Sequence, residues 1–335
     1  MRTTLLLDLA ADSCGERIAI GSLEGGVTYE RLRAGARAAG VALAGGPAKN
    51  LAFVGLNGVS APLVLFAAGY AGMPYVPINY RLKDAELRRL LERSSPCAVV
   101  VDDDMAERVA DIDGVEVLPR TAFEARWLAD DVVDPGEGEE PDQDIAVLLF
   151  TSGTTGDPKA AVLRHANLTS YVMATVEFLG SDEDQAALVS VPPYHIAGIS
   201  AILTSAYGAR RIVYLPQFDA ADWVAVAARE GITHAMVVPT MLDRVLDAME
   251  ASGETLPLLR ALSYGGGRMP EPVIARAMAL LPHVAFVNAY GLTETSSTVA
   301  LLDAADHRAA FASDDPAVTF APASEFTRLC VYTAS

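Results

Sequence analysis

Short apolar runs alternate with amphipathic stretches along the chain, a pattern that predicts alternating strands and helices. In the first part, residues 51–56 and 97–101 are apolar, β-branched and bounded by turn signals, so we predict two strands. Residues 59–71 are apolar and rich in alanine, which favours a buried helix. Asp84 can cap a further helix that has leucines on one face.

The second part of the chain repeats this alternation. Strands are predicted at 145–150, 187–191, 211–215, 234–238, 259–263 and 284–288, and helices at 167–178, 240–250 and after an Asp219 cap as far as Glu230. Such alternation predicts an α/β fold with parallel sheets covered by helices on both faces. Ligands then bind at the C-terminal ends of the strands.

An acidic stretch that contains proline and glycine occupies residues 131–144, and it predicts a linker between two lobes. We therefore assign residues 1–130 to a first αβ lobe and residues 145–316 to a second lobe. Residues 317–335 form an atypical tail.

Composition narrows the class of protein. The 335 residues are 51% hydrophobic, and the formal net charge of -18 disfavours nucleic acid and anionic membrane surfaces as partners. No apolar run is long enough to span a bilayer, and the start lacks a signal-peptide pattern, so we expect a cytoplasmic protein. Cys14, Cys97 and Cys330 are sparse and unclustered, which argues against disulfides and against a zinc site.

A loop rich in glycine and hydroxyl groups follows the predicted strand 145–150. It reads TSGTTGDPK and comprises Thr151, Ser152, Gly153, Thr154, Thr155, Gly156 and, three residues on, Lys159. Its backbone N–H groups, hydroxyls and one cation can surround the oxygens of a polyphosphate. The spacing is not that of a Walker A loop, which ends in Gly-Lys-Ser/Thr.

The longer segment LLFTSGTTGDPKAAVLRHANL closely resembles the signature loop of the adenylate-forming superfamily, which contains acyl-CoA synthetases, luciferases and peptide-synthetase adenylation domains. Ala160 stands where that family usually has Gly, and Arg164 where it often has Ser. Further blocks follow the family's order, namely AGMPYVPINYRL, VPPYHIAG and NAYGLTET. The resemblance covers about residues 5–316 and implies the two αβ lobes of the family's N-terminal domain, with the β-barrel part and the C-terminal domain largely missing.

The resemblance also implies roles for individual residues. Tyr290 would stack on adenine, Thr293 would donate to the α-phosphate, and Glu294 would hold Mg²⁺. His195 would shape or gate the acyl pocket, because a carboxylate substrate needs no general base at neutral pH. Lys159 would neutralise phosphate charge. The remaining nucleotide contacts would come from Gly265, Gly266, Gly267, Asn288, Ala289 and Gly291. His165 is expected to be structural, at the start of a helix.

The implied reaction is that of an AMP-forming acyl-CoA synthetase, which uses ATP, Mg²⁺ and CoA to activate a fatty or aromatic acid. A carrier-protein thiol in place of CoA is a second alternative, and a non-catalytic protein that binds nucleotide or acyl-adenylate is a third. After about residue 316 the resemblance stops, which predicts a truncated and weakly active or inactive form. The question of a homodimer stays open.

Overall fold

The computed structural model describes residues 1–151, 158–312 and 328–329. The chain divides into two compact units. Unit 1 comprises Met1–Glu183 and Pro192–Tyr214, and unit 2 comprises Asp184–Val191 and Leu215–Ser335.

Helices and strands alternate through most of the chain, as the pattern predicts. The α-helices are α1 Thr4–Cys14, α2 Tyr29–Ala44, α3 Ser60–Ala71, α4 Asp84–Ser94, α5 Arg120–Trp127, α6 His165–Thr175, α7 Ile196–Gly208, α8 Ala220–Arg229, α9 Pro239–Ser252, α10 Glu271–Leu280 and α11 Ala304–Ala312. The strands are β1 Ile18–Ile20, β2 Val27–Thr28, β3 Asn50–Val54, β4 Tyr75–Pro77, β5 Cys97–Val101, β6 Val115–Pro119, β7 Ile145–Thr151, β8 Lys159–Arg164, β9 Ala186–Val189, β10 Arg211–Tyr214, β11 His234–Val237, β12 Ala261–Gly265, β13 Ala285–Leu292, β14 Ser297–Leu302 and β15 Arg328–Leu329. Short 3-10 helices lie at Asp103–Arg108 and Thr293–Thr295.

Unit 1 contains a six-stranded sheet in the order β6-β5-β3-β4-β7-β8. Its pairs are parallel except β7 with β8, which form an antiparallel hairpin. Elsewhere in unit 1, β1 pairs in parallel with β10 and antiparallel with β2. The parallel order places the C-terminal ends of β3, β4 and β7 at one edge of the sheet.

The core of unit 1 lies between this sheet and its helices. Leu87, Leu90 and Leu91 of α4 are buried in one cluster with Val99 and Val101 of β5, as the leucine spacing predicts. Helix α3 is buried along nearly its whole length, which fits its almost uniformly apolar sequence.

In unit 2 the strands follow the order β15-β14-β13-β12-β11-β9. The run from β9 through β11 and β12 to β13 is parallel, whereas β14 is antiparallel to β13. Asp219 caps α8 as predicted, because its carboxylate accepts from the backbone N–H groups of Ala221 and Asp222. The α/β class is confirmed, but the sheets are mixed, since hairpins that the alternation did not predict add antiparallel strands.

The stretch 131–144 contains no helix or strand, but it lies within unit 1, and the boundary between the two units does not fall there. Arg2 donates to the carbonyl oxygens of Pro141, at 2.8 Å, and Gln143, at 2.7 Å, while Arg37 pairs with Asp134 at 3.2 Å. These bonds hold the acidic stretch on unit 1. Strand β7, which we assigned to the second lobe, pairs in parallel with β4 through Val147 and so belongs to unit 1.

Within the described part of the chain, every helix is too short or too polar to cross a membrane. Cys14 and Cys97 are free thiols, and Cys330 lies outside the described residues.

Candidate active site

The hairpin of β7 and β8 carries the two ends of the hydroxyl-rich loop. Thr151 pairs with Lys159, and the Thr151 hydroxyl donates to the Lys159 carbonyl oxygen at 3.4 Å. Lys159 itself is exposed. Ser152, Gly153, Thr154, Thr155 and Gly156 lie outside the described residues. Lys159 thus lies opposite the last residue of β7, at the C-terminal end of that strand.

Arg93, in the last turn of α4, contacts Phe150 of β7 and Pro158, the residue that precedes β8. Its guanidinium donates to the carbonyl oxygen of Pro158 and lies over the ring of Phe150, 5.6 Å from the centroid. Ala160 pairs with Phe150 in the hairpin, so the residue at the family's usual Gly position is an ordinary strand residue here. Sequence reasoning missed Arg93, since an arginine in the last turn of a helix is common for reasons of the helix dipole alone.

His195 is the N-cap residue of α7, and its side chain makes no capping bond. Its ring lies 4.7 Å from that of Tyr194, centroid to centroid, and desolvation there lowers the pKa of the imidazole. The lowered pKa favours the neutral form of the imidazole at neutral pH. A neutral ring suits the lining of an acyl pocket better than charge neutralisation.

Contacts between aromatic rings connect the VPPYHIAG block, residues 191–198, with the segment after β4. Tyr194 packs edge-on against Tyr80 at 5.7 Å between centroids, and the guanidinium of Arg81 lies 5.4 Å from the Tyr80 centroid. Tyr80 and Phe150 both pack against the core cluster of unit 1. The blocks VPINYR and VPPYH are therefore in contact through the side chains of Tyr80 and Tyr194. They lie far apart along the chain, so the sequence alone does not predict this contact.

In unit 2, the ends of β12 and β13 bring the predicted nucleotide residues together. Gly265 pairs with Ala289, and Tyr264 pairs with Asn288. A Cβ on Gly265 would lie 2.4 Å from the carbonyl oxygen of Ala289, so only glycine permits this approach. Gly266 follows with a φ of +74°, and Gly266 and Gly267 are exposed beyond the strand. The turn offers open backbone next to β13.

The next residues form the turn from β13 into β14. Tyr290 is 60% exposed, which leaves its ring available for stacking. Thr293 is half-buried and Glu294 is exposed, both in the 3-10 helix. The Thr295 hydroxyl accepts from the N–H of Leu292 at 3.0 Å and donates to the Leu292 carbonyl oxygen at 2.9 Å, which closes the turn.

A buried pair behind this edge was missed by the sequence reasoning. The Tyr264 hydroxyl lies 2.7 Å from Nε2 of His307, and both residues are almost fully buried. An isolated histidine after β14 belongs to no motif, so the sequence alone gives no signal for His307.

Magnesium would have one described candidate ligand, Glu294. Among residues 1–151 and 158–312, no three His, Cys, Asp or Glu side chains gather as a metal-binding group. This fits Mg²⁺ on a nucleotide, because the ion then takes one or two protein carboxylates and completes its shell with phosphate oxygens and water. The exposure of Glu294 leaves its carboxylate free to serve in this way.

The described site residues therefore fall into two groups, one in each compact unit. Unit 1 carries the base of the loop, with Thr151 and Lys159, and the aromatic contacts that end at His195. Unit 2 carries the glycine turn and the residues from Asn288 to Glu294. His165 begins α6, as predicted, and is buried.

A parallel α/β sheet with open glycine backbone, an exposed aromatic ring and an acidic turn at its C-terminal edge is the arrangement of a nucleotide-binding enzyme. A family model described as AMP-binding enzyme matches residues 7–318, and the chain belongs to this family.

Relatives by sequence are ligases. The chain is 31% identical over 281 residues to a feruloyl-CoA synthase from an Amycolatopsis species, with 82% of this chain and 54% of the relative covered. It is 29% identical to the fatty acid–acyl-carrier-protein ligase ScoC of Streptomyces coeruleorubidus, with 84% and 56% covered. A 2-succinylbenzoate–CoA ligase of Bacillus cereus is also 29% identical, with 74% and 49% covered. The chain spans about half the length of these curated relatives.

Solved structures agree on the fold. The inhibitor-bound N-terminal domain of FACL13 from Mycobacterium tuberculosis matches with a TM-score of 0.78 at 25% identity, covering 92% of this chain and 80% of that one. The o-succinylbenzoate CoA synthetase of Bacillus subtilis in complex with AMP matches with a TM-score of 0.74 at 23% identity, covering 90% and 61%.

Proposed function

We propose that this chain carries the nucleotide-binding and acyl-binding parts of an AMP-forming acid–thiol ligase. The observation that carries the proposal is the family match over residues 7–318, together with the adjacent ends of β12 and β13 that hold Gly265–Gly267 and Asn288–Gly291. A cytoplasmic location, where ATP and thiol acceptors are available, is part of the proposal.

In the first step, a carboxylate oxygen of the acid attacks the α-phosphorus of ATP. The bond to the bridging oxygen of the β-phosphate breaks, pyrophosphate leaves, and an acyl-adenylate forms. The hydroxyls of the loop, Lys159 and Thr293 would bind the phosphate oxygens and stabilise the charge that develops there. Glu294 would hold Mg²⁺, which would supply further neutralisation of the phosphate charge.

Tyr290 would hold the adenine by stacking, since its ring is exposed at the edge of unit 2. His195 would contact the acid as a neutral ring, which fits its lowered pKa. The VPPYHIAG block has no acidic residue to bind an amino group, so a non-amino fatty or aromatic acid is favoured.

In the second step, a thiol sulfur attacks the acyl carbonyl carbon and AMP leaves. The relatives include CoA ligases and a carrier-protein ligase, so both acceptors stay within the proposal. A competing function is the binding of nucleotide or acyl-adenylate without chemistry. It predicts nucleotide binding but no ATP–pyrophosphate exchange.

The test is AMP binding by calorimetry together with ATP–pyrophosphate exchange over a panel of fatty and aromatic acids. We expect measurable AMP binding, and weak exchange with at least one acid. Replacing Tyr290 with Ala should weaken AMP binding by roughly tenfold or more, since base stacking contributes about 1–3 kcal/mol.

Tyr290→Phe is the matched control, because it keeps the ring and should bind AMP as the unaltered chain does. Binding of AMP without any exchange would favour the non-catalytic function. Failure to bind AMP or ATP would refute the proposal.

A further inference from the structure

Two side chains from the N-terminal part of unit 1 bind the C-terminal end of helix α7. The Tyr29 hydroxyl lies 3.0 Å from the carbonyl oxygen of Ser205 and 2.9 Å from that of Arg210. The Arg17 guanidinium donates to the carbonyl oxygen of Ala209 at 3.2 Å. These side chains therefore bind carbonyl groups at the end of the helix, where intrahelical donors run out.

Tyr29 and Arg17 are also bonded to each other through the backbone. The N–H of Tyr29 donates to the carbonyl oxygen of Arg17 at 3.0 Å. Tyr29 is the first residue of α2 and only 2% exposed, and burial raises the pKa of its hydroxyl, which therefore stays protonated. A carbonyl oxygen can only accept, so the Tyr29 hydroxyl shares its one hydrogen between two acceptors.

The backbone at this end of α7 has an unfavourable conformation. Ala209, the C-cap residue, has a φ of 54°, in the left-handed region that alanine seldom adopts. The preceding turn is bonded as well, because the N–H of Leu179 donates to the carbonyl oxygen of Tyr207 at 3.0 Å. Such a conformation persists where the surrounding structure determines it, so the end of α7 is held in one place.

The opposite end of the helix carries His195 and is less firmly held. His195 is the N-cap without a side-chain capping bond, and its N–H donates to the carbonyl oxygen of Pro192 at 3.2 Å. A Cβ on Gly198 would lie 3.1 Å from that same oxygen, so the first turn packs closely on the Pro192 turn. His195 should therefore move together with the helix.

Most residues of α7 are small, so its side chains form shallow ridges against its neighbours. Packed helices shift by sliding along one another, and shallow ridges oppose such a shift weakly. The bonds at the C-terminal end of α7 are then what fixes its position along its axis.

We propose that Tyr29, together with Arg17, is a positioning residue that determines where His195 meets the acid. The inference rests on the proposed function, in which His195 contacts the acid. The helix rises about 1.5 Å per residue, so the two side chains act on His195 from roughly 20 Å away.

The alternative is that these bonds only stabilise unit 1. Tyr29→Phe would then lower the free energy of unfolding but would leave the His195 ring and the binding of the acid as they are. The position of the His195 ring and the KM for the acid are therefore the measurements that decide.

The first experiment reads the His195 ring by NMR and needs no catalytic activity. Its Cε1–H resonance depends on the Tyr194 ring, 4.7 Å away between centroids, and is assigned from its loss in His195→Asn. Tyr29→Phe keeps the aromatic ring and removes the hydroxyl. We expect the His195 resonance to move in this variant, because the helix is released at its far end.

A second variant and a matched control accompany it. Arg17→Met keeps the length of the side chain, removes the donors and should also move the His195 resonance. Thr204→Val removes a hydroxyl of α7 that donates within the helix, to the carbonyl oxygen of Ser200 at 2.7 Å. It should leave the resonance where it is.

The second experiment measures the KM for the acid in ATP–pyrophosphate exchange, with an acid from the panel. We expect Tyr29→Phe to raise this KM by roughly 2- to 10-fold, since acid binding can lose no more than the contribution of the missing hydrogen bond. AMP binding should not change, because its predicted stacking residue, Tyr290, lies in unit 2.

A His195 resonance that stays in place in both Tyr29→Phe and Arg17→Met would overturn the inference, whatever the loss of stability. An unchanged KM for the acid, or an equal shift in Thr204→Val, would do the same. An unaltered chain that neither binds AMP nor catalyses exchange would overturn the proposed function. The His195 resonance would still decide whether α7 is positioned from its far end.

Discussion

Gly291 has no room for a side chain where β13 turns into β14. A Cβ there would lie 1.6 Å from the carbonyl oxygen of Ser297, a backbone atom that cannot move aside alone. The same turn holds Ser296 and Ser297 at φ values of 60° and 115°, which are unfavourable for serine. The backbone conformation of the turn that carries Tyr290 and Glu294 is therefore determined by packing against adjacent residues. It is not the conformation that the turn residues themselves prefer.

We predict that Gly291→Ala will separate the two strands at this point. The expected loss is about 1–3 kcal/mol in the free energy of unfolding, typical of an overpacked site, together with weaker AMP binding. Urea denaturation and calorimetry would measure both.

Gly267→Ala provides the comparison, since its added Cβ would meet Pro239 at an ordinary 3.8 Å. We expect it to unfold like the unaltered chain. Equal stability of the two variants would contradict the steric account of Gly291.

At the scale of elements, the base of the phosphate loop depends on helix α4 as well as on its own hairpin. Strand β8 is the last strand of the unit 1 sheet and has β7 as its neighbour in the sheet order. Arg93 adds a bond to Pro158 and a contact with Phe150, one on each side of the hairpin. It should hold the end of the loop from which Lys159 projects.

We predict that Arg93→Ala will loosen β8 without unfolding the sheet. Losing one such bond, worth about 0.5–1.5 kcal/mol, should speed amide exchange in Lys159–Arg164 by roughly 2- to 10-fold. Hydrogen–deuterium exchange mass spectrometry would detect this change.

Glu92→Ala, an exposed change one position earlier on the same helix, should leave exchange in this strand as it was. Identical exchange in the Arg93 and Glu92 variants would show that the hairpin needs no support from α4.

The elements that the sequence predicted best are those with a one-sided or wholly apolar pattern. Strand β5 and helix α3 lie where the hydrophobic runs placed them, and α8 begins at its Asp219 cap. Strand β8 was missed because its residues follow the loop motif and alternate weakly. Helix α7 was missed because its sequence, IAGISAILTSAYG, is apolar and rich in small residues and so lacks a one-sided helical pattern.

The site was predicted in part, because its motifs name residue types but not their partners. The pairing of Gly265 with Ala289 follows from adjacent parallel strands, which the alternation predicts. The contacts of Arg93 with Pro158, Tyr80 with Tyr194 and Tyr264 with His307 join distant parts of the chain. Nothing in the spacing along a single sequence encodes such contacts.

At the scale of the whole molecule, a buried histidine links stability to pH. His165 Nδ1 accepts from the backbone N–H of Thr3 at 3.2 Å, and its Nε2 has no hydrogen-bond partner among the described residues. Burial, reinforced by the nearby charge of Arg2, lowers the pKa of His165 to about 4. The folded protein therefore keeps this ring neutral well below the usual pKa of histidine.

We predict that His165 makes the protein less stable as the pH falls from about 6.5 to about 4. The unfolded chain binds a proton near pH 6.5 that the folded chain does not bind until about pH 4, so the unfolded state is favoured progressively in this range. His165→Asn, which can still accept from Thr3, should reduce the slope of the unfolding free energy by up to about 1.4 kcal/mol per pH unit.

Urea denaturation at several pH values is the measurement. His283→Asn, at an exposed position, is the control and should retain the original slope. If the His165 variant kept that slope too, the buried ring would not be the group responsible.

Unit 2 is built from two separate stretches of the chain, because residues 184–191 precede a segment that belongs to unit 1. Strand β9, in the earlier stretch, pairs in parallel with β11 in the later one, with Leu188 opposite Ala235. A chimera of two related enzymes with one crossover between residues 192 and 214 would therefore join β9 from one parent to β11 from the other. Recombination that respects this sheet must exchange both stretches together, and a fragment beginning at Leu215 would expose an unpaired backbone edge on β11 that invites aggregation.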